Sequence, residues 1–164
     1  MFKKEVFLIL IILFIFSDFS IKEYNIFNNR VVFNPTMYIL DIPKINIYKK
    51  MYISKIDSSI KNIVIFEEFG RPNYISNTVI GAHSGNGKYS YFKDLYKMNI
   101  NDNFFIRYEN TVDKYIIFSK FFVNQYDIEI LYKNYDYKVI TFITCKNNDS
   151  SKRLILLGKI VSWL

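Results

Sequence analysis

The sequence predicts a mainly β fold, a closed or nearly closed barrel of seven to eight strands with short helices. Isoleucine, phenylalanine and tyrosine are abundant, whereas Ala82 is the only alanine. Alanine is the best helix former, and the abundant residue types favour strands. Short apolar runs divided by turn-forming residues recur along the chain at the spacing of a sandwich or barrel. An AT-rich genome would favour the same residue types, so the spacing is the stronger of the two observations.

The first predicted strand covers residues 37–47 and contains Pro43, which an edge strand or a strand start tolerates. Strands at residues 60–66 and 78–82 follow, separated by the turn residues Gly70, Arg71, Pro72 and Asn73. The remaining apolar, β-branched runs predict four further strands, at residues 104–108, 115–123, 139–145 and 154–161. Helix is confined to short pieces, predicted at residues 90–97 and 54–62.

The N-terminus predicts a membrane-anchor or signal segment over residues 1–24. Lys3 and Lys4 precede an uninterrupted apolar run at residues 6–16. As a helix this run spans about 16 Å, or about 24 Å if extended to Ile21, against a hydrocarbon core of about 30 Å. A buried core helix is the alternative for this length, but the basic start favours an export signal or signal anchor. No convincing cleavage pattern follows, which favours a retained anchor.

This interpretation divides the chain into a segment at residues 1–24, an asparagine-rich linker at 25–36 and a folded domain at 37–164. It places the protein in the cell membrane as a single-pass protein, with the basic end inside and the domain outside. The net charge of +7 comes mostly from lysines scattered along the chain. Because no basic cluster is interleaved with aromatic residues, nucleic-acid binding is not expected.

Cys145 and His83 are the only cysteine and the only histidine. A thiol and an imidazole combine readily into a nucleophile and its proton-transfer partner near neutral pH. One cysteine excludes an intrachain disulfide, and the pair is too small for an ordinary zinc site. A buried structural thiol with an unrelated imidazole is the alternative, since free cysteine is often a small core residue.

Arg153 stands just across a polar loop from Cys145 and opens an apolar strand. If the strands that flank the loop are neighbours, the guanidinium reaches the same end of the barrel as the thiol. It is then placed to bind a developing oxyanion. The alternative is an ordinary surface arginine at a strand start.

Together these residues resemble the sortase family, the cysteine transpeptidases that attach proteins to Gram-positive cell walls. Residues 141–145 are similar to the family's T-L-x-T-C strand, residues 153–158 to its R-L-x-x-x-G strand, and residues 79–85 to the strand and turn that carry its histidine. Residues 40–45 are similar to the opening strand, which reads I-P-K-I, and residues 91–95 to the segment after the histidine. The resemblance covers most of residues 40–161.

The resemblance implies catalysis by Cys145, His83 and Arg153. Cys145 attacks a threonine carbonyl in a sorting signal similar to Leu-Pro-x-Thr-Gly, and an amine resolves the thioester. The implied partners are surface proteins with such a signal, an amine of a peptidoglycan precursor or pilin, and the membrane. Three neighbouring residues are assigned to substrate binding and the shape of the site: Thr144, Ala82 and Ser84.

The sequence departs from the family pattern at Phe142, where leucine is usual, and at Ala82, where glycine is common. Neither change removes a reactive group. The absence of an obvious lid and of a long helical insertion favours a compact class A-like or D-like sortase. No metal or cofactor is required, although some relatives use calcium. The four carboxylates considered for such a site are Glu67, Glu68, Asp127 and Glu129.

Two rival interpretations remain open. A papain-type cysteine peptidase uses the same two side chains, but its cysteine precedes its histidine and it lacks the arginine strand. A non-catalytic, membrane-anchored β module has no need of an intact Cys, His and Arg set. The sequence does not identify the accepting amine or the exact sorting motif.

Overall fold

Eight strands close into a barrel in a computed structural model, which describes residues 37–55, 60–147 and 149–163. The order around the barrel is β1-β2-β3-β4-β7-β8-β6-β5, and β5 pairs with β1 to close it. The prediction of a closed, mainly β barrel is confirmed. The strands are β1 (Tyr38–Ile42), β2 (Ile47–Ser54), β3 (Ile63–Phe66), β4 (Asn77–Gly81), β5 (Asn103–Tyr108), β6 (Thr111–Asn124), β7 (Val139–Lys146) and β8 (Asp149–Trp163).

Two neighbouring pairs in the barrel are parallel, β2 with β3 and β4 with β7, and the others are antiparallel. A parallel pair cannot be joined by a tight hairpin, because the chain must return to the starting edge. Between β4 and β7 the chain makes this return through β5 and β6. Strands β4 and β7 therefore end at the same edge of the barrel, although about sixty residues separate them.

The first predicted strand, residues 37–47, corresponds to β1, a turn and only the first residue of β2. Pro43 ends β1 and opens a 3₁₀ turn at Pro43–Ile45, and Asn46 follows with a left-handed φ of 55°. Proline lacks the N–H that a ladder needs, and asparagine tolerates the left-handed region. The chain reverses there, so β2 pairs antiparallel with β1. Strand β2 was not predicted, because Ile47 and Met51 are its only buried residues and most of the others are polar or tyrosine.

The predicted helices are not α-helical in the described ranges, which hold four 3₁₀ segments: Pro43–Ile45, Glu67–Phe69, Leu95–Lys97 and Glu129–Tyr132. Only Leu95–Lys97 falls within the helix predicted at residues 90–97. Phe92 and Leu95 are fully buried there, and the Phe92 N–H donates to the His83 carbonyl at 2.9 Å. Packing and this bond hold the segment in tight turns. The helix predicted at 54–62 is wrong at both ends, because Ser54 ends β2 and residues 60–62 are not helical. Residues 56–59 lie outside the described part.

Strands β7 and β8 are buried on both faces. Phe142 and Leu154 belong to the core inside the barrel, whereas Ile143 and Ile155 pack with a second apolar cluster on the outside. Successive side chains of a strand point to opposite faces. Cys145 is two residues beyond Ile143, so its side chain shares the outer face.

Gly81 ends β4 where the backbone passes close to an aromatic ring. A Cβ atom there would lie 2.6 Å from a ring carbon of Phe66, far inside van der Waals contact. Glycine thus lets β4 pack tightly against β3 just before the chain reaches Ala82 and His83.

A polar cluster lies at the start of β7, at the opposite end of the strand from Cys145. Asp113 is fully buried, and its Oδ2 accepts hydrogen bonds from Lys138 at 2.7 Å and from the Tyr108 hydroxyl at 3.1 Å. Burial lowers the pKa of Lys138, but the bonds to Asp113 and Tyr108 outweigh it and leave the pKa above its ordinary value. Burial, followed by the Asp113 charge, raises the pKa of Tyr115. The cluster keeps a buried carboxylate paired, as burial of a charge requires.

The predicted N-terminal helix and linker, residues 1–24 and 25–36, lie outside the described residues. Within residues 37–55, 60–147 and 149–163, no helix is long and apolar enough to cross a membrane.

Candidate active site

Three strands bring the sequence-predicted reactive residues to one edge of the barrel. Cys145 lies in β7 and is the direct antiparallel partner of Arg153 in β8. His83 follows β4, whose last residue, Gly81, pairs in parallel register with Ile143 of β7. Since His83 and Cys145 each stand two residues beyond that pair, the register places both at the same level. The strand neighbours assumed for Arg153 are confirmed.

The three residues line one groove of about 360 Å³. His83 is exposed, whereas Cys145 and Arg153 are partly buried. The remaining groove lining is largely apolar: Ile60, Phe66, Gly81, Ala82, Gln125, Ile128, Leu131, Ile143 and Thr144. The groove therefore combines a thiol, an imidazole and a guanidinium with walls suited to apolar side chains.

Backbone carbonyls hold the guanidinium of Arg153. Its Nη1 donates to the carbonyl of Ser150 at 2.7 Å and to that of Lys152 at 3.2 Å, and its Nη2 donates to Gln125 Oε1 at 3.4 Å. A guanidinium has five N–H groups, so these bonds leave donors for a substrate oxygen. None of these three partners is a carboxylate, and none neutralises the positive charge beside the thiol.

Two short hydrogen bonds tie the histidine segment to the cysteine strand. The Thr144 hydroxyl donates to the Ala82 carbonyl at 2.7 Å, and the Ser84 hydroxyl donates to the Cys145 carbonyl at 2.6 Å. All three residues assigned to substrate binding, Thr144, Ala82 and Ser84, are buried. Thr144 and Ala82 line the groove, whereas Ser84 does not. The hydroxyls of Thr144 and Ser84 are both engaged with the backbone. They fix His83 relative to Cys145.

The connection between β6 and β7 supplies groove residues that the sequence analysis missed, namely Gln125, Ile128 and Leu131. Leu131 lies in the 3₁₀ segment Glu129–Tyr132 and is buried. Asn77 anchors this segment, because its Nδ2 donates to the Leu131 carbonyl at 3.0 Å. Its Oδ1 accepts from Thr141 on β7 at 2.6 Å. The available sequence signal was a run of apolar residues, 128, 130 and 131, inside a polar connection.

Among the described residues, no group of three or more His, Cys, Asp or Glu side chains could hold a metal ion. The structure thus does not assemble Glu67, Glu68, Asp127 and Glu129 into the calcium site considered above.

Comparison with protein families gives a match over residues 40–161 to the model described as "Sortase domain". This match covers about three quarters of the chain and contains His83, Cys145 and Arg153. No curated protein matches the chain.

Several solved structures share the fold. Sortase A from Corynebacterium diphtheriae is 22% identical with a TM-score of 0.70, over 78% of this chain and 61% of that one. The chain thus spans less than two thirds of that protein. A Clostridium perfringens sortase D5 transpeptidase is 25% identical with a TM-score of 0.69, over 77% and 79% of the two chains. Streptococcus pneumoniae sortase C is 24% identical with a TM-score of 0.70, over 82% and 73%.

Proposed function

Because this chain belongs to the sortase family, we propose that it is a cysteine transpeptidase that cleaves an LPxTG-like sorting signal and passes the protein to an amine. The observation that carries the proposal is the register of β4, β7 and β8, which places His83, Cys145 and Arg153 on one groove. The groove's apolar walls suit the leucine and proline of such a signal.

The first half of the reaction forms a thioester. The sulfur of Cys145 attacks the threonine carbonyl carbon, the peptide C–N bond breaks, and His83 gives a proton to the departing amine. The thiolate is the attacking form of a cysteine. Arg153, the partner of Cys145 on β8, brings a fixed positive charge to the same groove.

In the second half an acceptor amine attacks the thioester carbonyl. The new C–N bond forms, the C–S bond breaks, and His83 takes the proton that the nitrogen loses. In both halves the carbonyl oxygen becomes an oxyanion. The Ser150 and Lys152 carbonyls hold the guanidinium of Arg153 in place. Its remaining N–H groups donate to that oxygen.

Peptide preference tests this function. We expect the full-length protein to cleave an LPxTG-like peptide between threonine and glycine when an oligoglycine amine is present, and to join the two. The matched control is a peptide of the same composition in scrambled order, which should remain intact. Equal cleavage of both peptides with the free acid as the main product, read by mass spectrometry, would assign the chain to the hydrolytic cysteine peptidases.

The subtype proposed is a compact one, similar to class A or class D. The similar structures belong to classes A, C and D and have nearly equal TM-scores, so overall fold does not separate the classes. We propose that the groove between the β6–β7 connection and β4 is the donor groove, which binds the sorting peptide.

We also propose that residues 1–24 anchor the protein in the cell membrane with residues 37–164 outside. The basis is the basic start and apolar run of the sequence. Protease added to intact protoplasts should digest the domain, while a cytoplasmic marker protein stays whole. Full protection of the domain would show that it lies in the cytoplasm.

A further inference from the structure

A second cavity of about 360 Å³ reaches Cys145 from another direction. It shares Thr144 and Cys145 with the groove. Its other lining residues are Ser84, Phe92, Lys93, Tyr96, Phe122, Lys146, Asn147 and Leu154. The donor groove, by contrast, is built around the connection between β6 and β7.

The two cavities meet at the end of β7 and differ in most of their remaining lining. Phe92 and Leu154, which line the second cavity, belong to the core inside the barrel. Phe66 and Leu131, which line the groove, belong to the outer cluster. Because Cys145 lines both cavities, a molecule in the second cavity can meet the thioester while the donor peptide fills the groove.

Two lysines, Lys93 and Lys146, line the second cavity, and their ammonium groups differ in their partners. Lys146 lies 3.5 Å from Asp149 Oδ2 and 5.3 Å from the Phe122 ring centre. Lys93 is exposed, and within the described residues its ammonium has no hydrogen bond or ion pair. The nearby Asp94 is taken by Lys97 at 2.9 Å. One positive charge at this cavity is thus left without a counter-ion.

A backbone contact places Lys93 beside the loop that follows Cys145. Asn147 Nδ2 donates to the Lys93 carbonyl at 3.3 Å. The aromatic rings of Tyr96 and Phe122 are each about half exposed, so they offer apolar surface to the stem of a ligand. An open cavity with aromatic walls and a free ammonium fits a chain that ends in, or carries, a carboxylate.

We infer that this cavity receives the amine acceptor, and that the preferred acceptor bears a carboxylate that pairs with Lys93. The inference rests on the proposed function. The acceptor nitrogen attacks the thioester carbonyl, the C–S bond breaks, and the proton leaves the nitrogen through His83, so no other reactant is required. The carboxylate takes no part in bond making; it orients the amine.

Paired acceptors test the inference on the full-length protein acylated by an LPxTG-like peptide. Triglycine competes with triglycinamide in one experiment, and Nα-acetyllysine competes with Nα-acetyllysinamide in another. Within each pair the amine is the same and only the terminal carboxylate differs. We expect roughly a threefold to fivefold excess of the carboxylate product for at least one pair at low salt, as for an exposed ion pair. The excess should shrink as salt is added.

Three variants assign the effect to one side chain. Lys93→Gln should bring the product ratio to unity, and Lys93→Arg should keep the excess because the charge remains. Lys88→Gln removes an exposed charge from the same connection between β4 and β5, at a residue that does not line the cavity, and should leave the ratio as in the wild type. Because each ratio is measured within one protein, a change in overall rate does not affect it.

The results separate this inference from the function on which it rests. If hydroxylamine captures the thioester but neither pair shows a carboxylate preference, the acceptor assignment is wrong and the transpeptidase proposal stands. A preference that Lys93→Gln retains also overturns the assignment. If no thioester forms at all, both proposals fail.

Discussion

Replacement of Cys145 by alanine should reduce cleavage of an LPxTG-like peptide to the background rate. The sulfur forms the covalent intermediate, and no other cysteine exists in the chain to replace it. The fold should survive, because Cys145 is only partly buried and its neighbours are held through its backbone, including the bond from Ser84 to its carbonyl. Steady-state kinetics measures the cleavage rate, and a thermal melt measures the stability of the fold.

A melt close to that of the wild type, combined with the loss of turnover, would show that the thiol acts chemically. Substantial turnover in pure Cys145→Ala protein would remove Cys145 from the mechanism.

Replacement of Arg153 by lysine should lower kcat/KM by about 10² or more, which is the usual effect of removing an oxyanion donor. Lysine keeps the charge but has no planar fork of N–H groups. It cannot contact the Ser150 and Lys152 carbonyls and a substrate oxygen in the same geometry. The measurement is the rate of peptide cleavage at saturating amine.

Arg107→Lys is the matched control. Arg107 also stands on a strand, but it pairs with Asp41 at 2.8 Å and does not line the groove. Its replacement should leave kcat/KM near that of the wild type. If Arg153→Lys behaves in the same way, Arg153 is an ordinary surface arginine.

The sequence predicted the barrel, and it pointed to the three residues that the structure brings to one groove, for two physical reasons. Seven predicted strands show β-branched apolar runs with turns between them, and such runs have few other ways to bury their surface. Cys145 and His83 are each unique, so the resemblance to a known family had one candidate for each role.

The missed features depend on contacts between distant residues. Strand β2 buries only Ile47 and Met51, which no alternating pattern reveals. The hydroxyls of Thr144 and Ser84 bond to carbonyls 62 and 61 residues away, so their engagement with the backbone could not be predicted from neighbours in the chain. Gln125 joins the groove only because β6 ends beside the start of β8, where its N–H donates to the Ser151 carbonyl.

If the two cavities bind donor and acceptor as proposed, they would favour transfer over hydrolysis. An amine seated in the second cavity would stand next to the thioester at an effective concentration far above its bulk value. Water gains no such advantage from aromatic walls such as those of Tyr96 and Phe122.

The most direct test of this account is the fate of the acyl group on Cys145. Intact-protein mass spectrometry of the full-length enzyme with a sorting peptide should show an adduct on Cys145 that persists without amine. Addition of an oligoglycine amine should discharge the adduct mostly to the amide. If every amine and peptide tried gives mainly the free acid, the chain is a hydrolase and the transpeptidase account is contradicted.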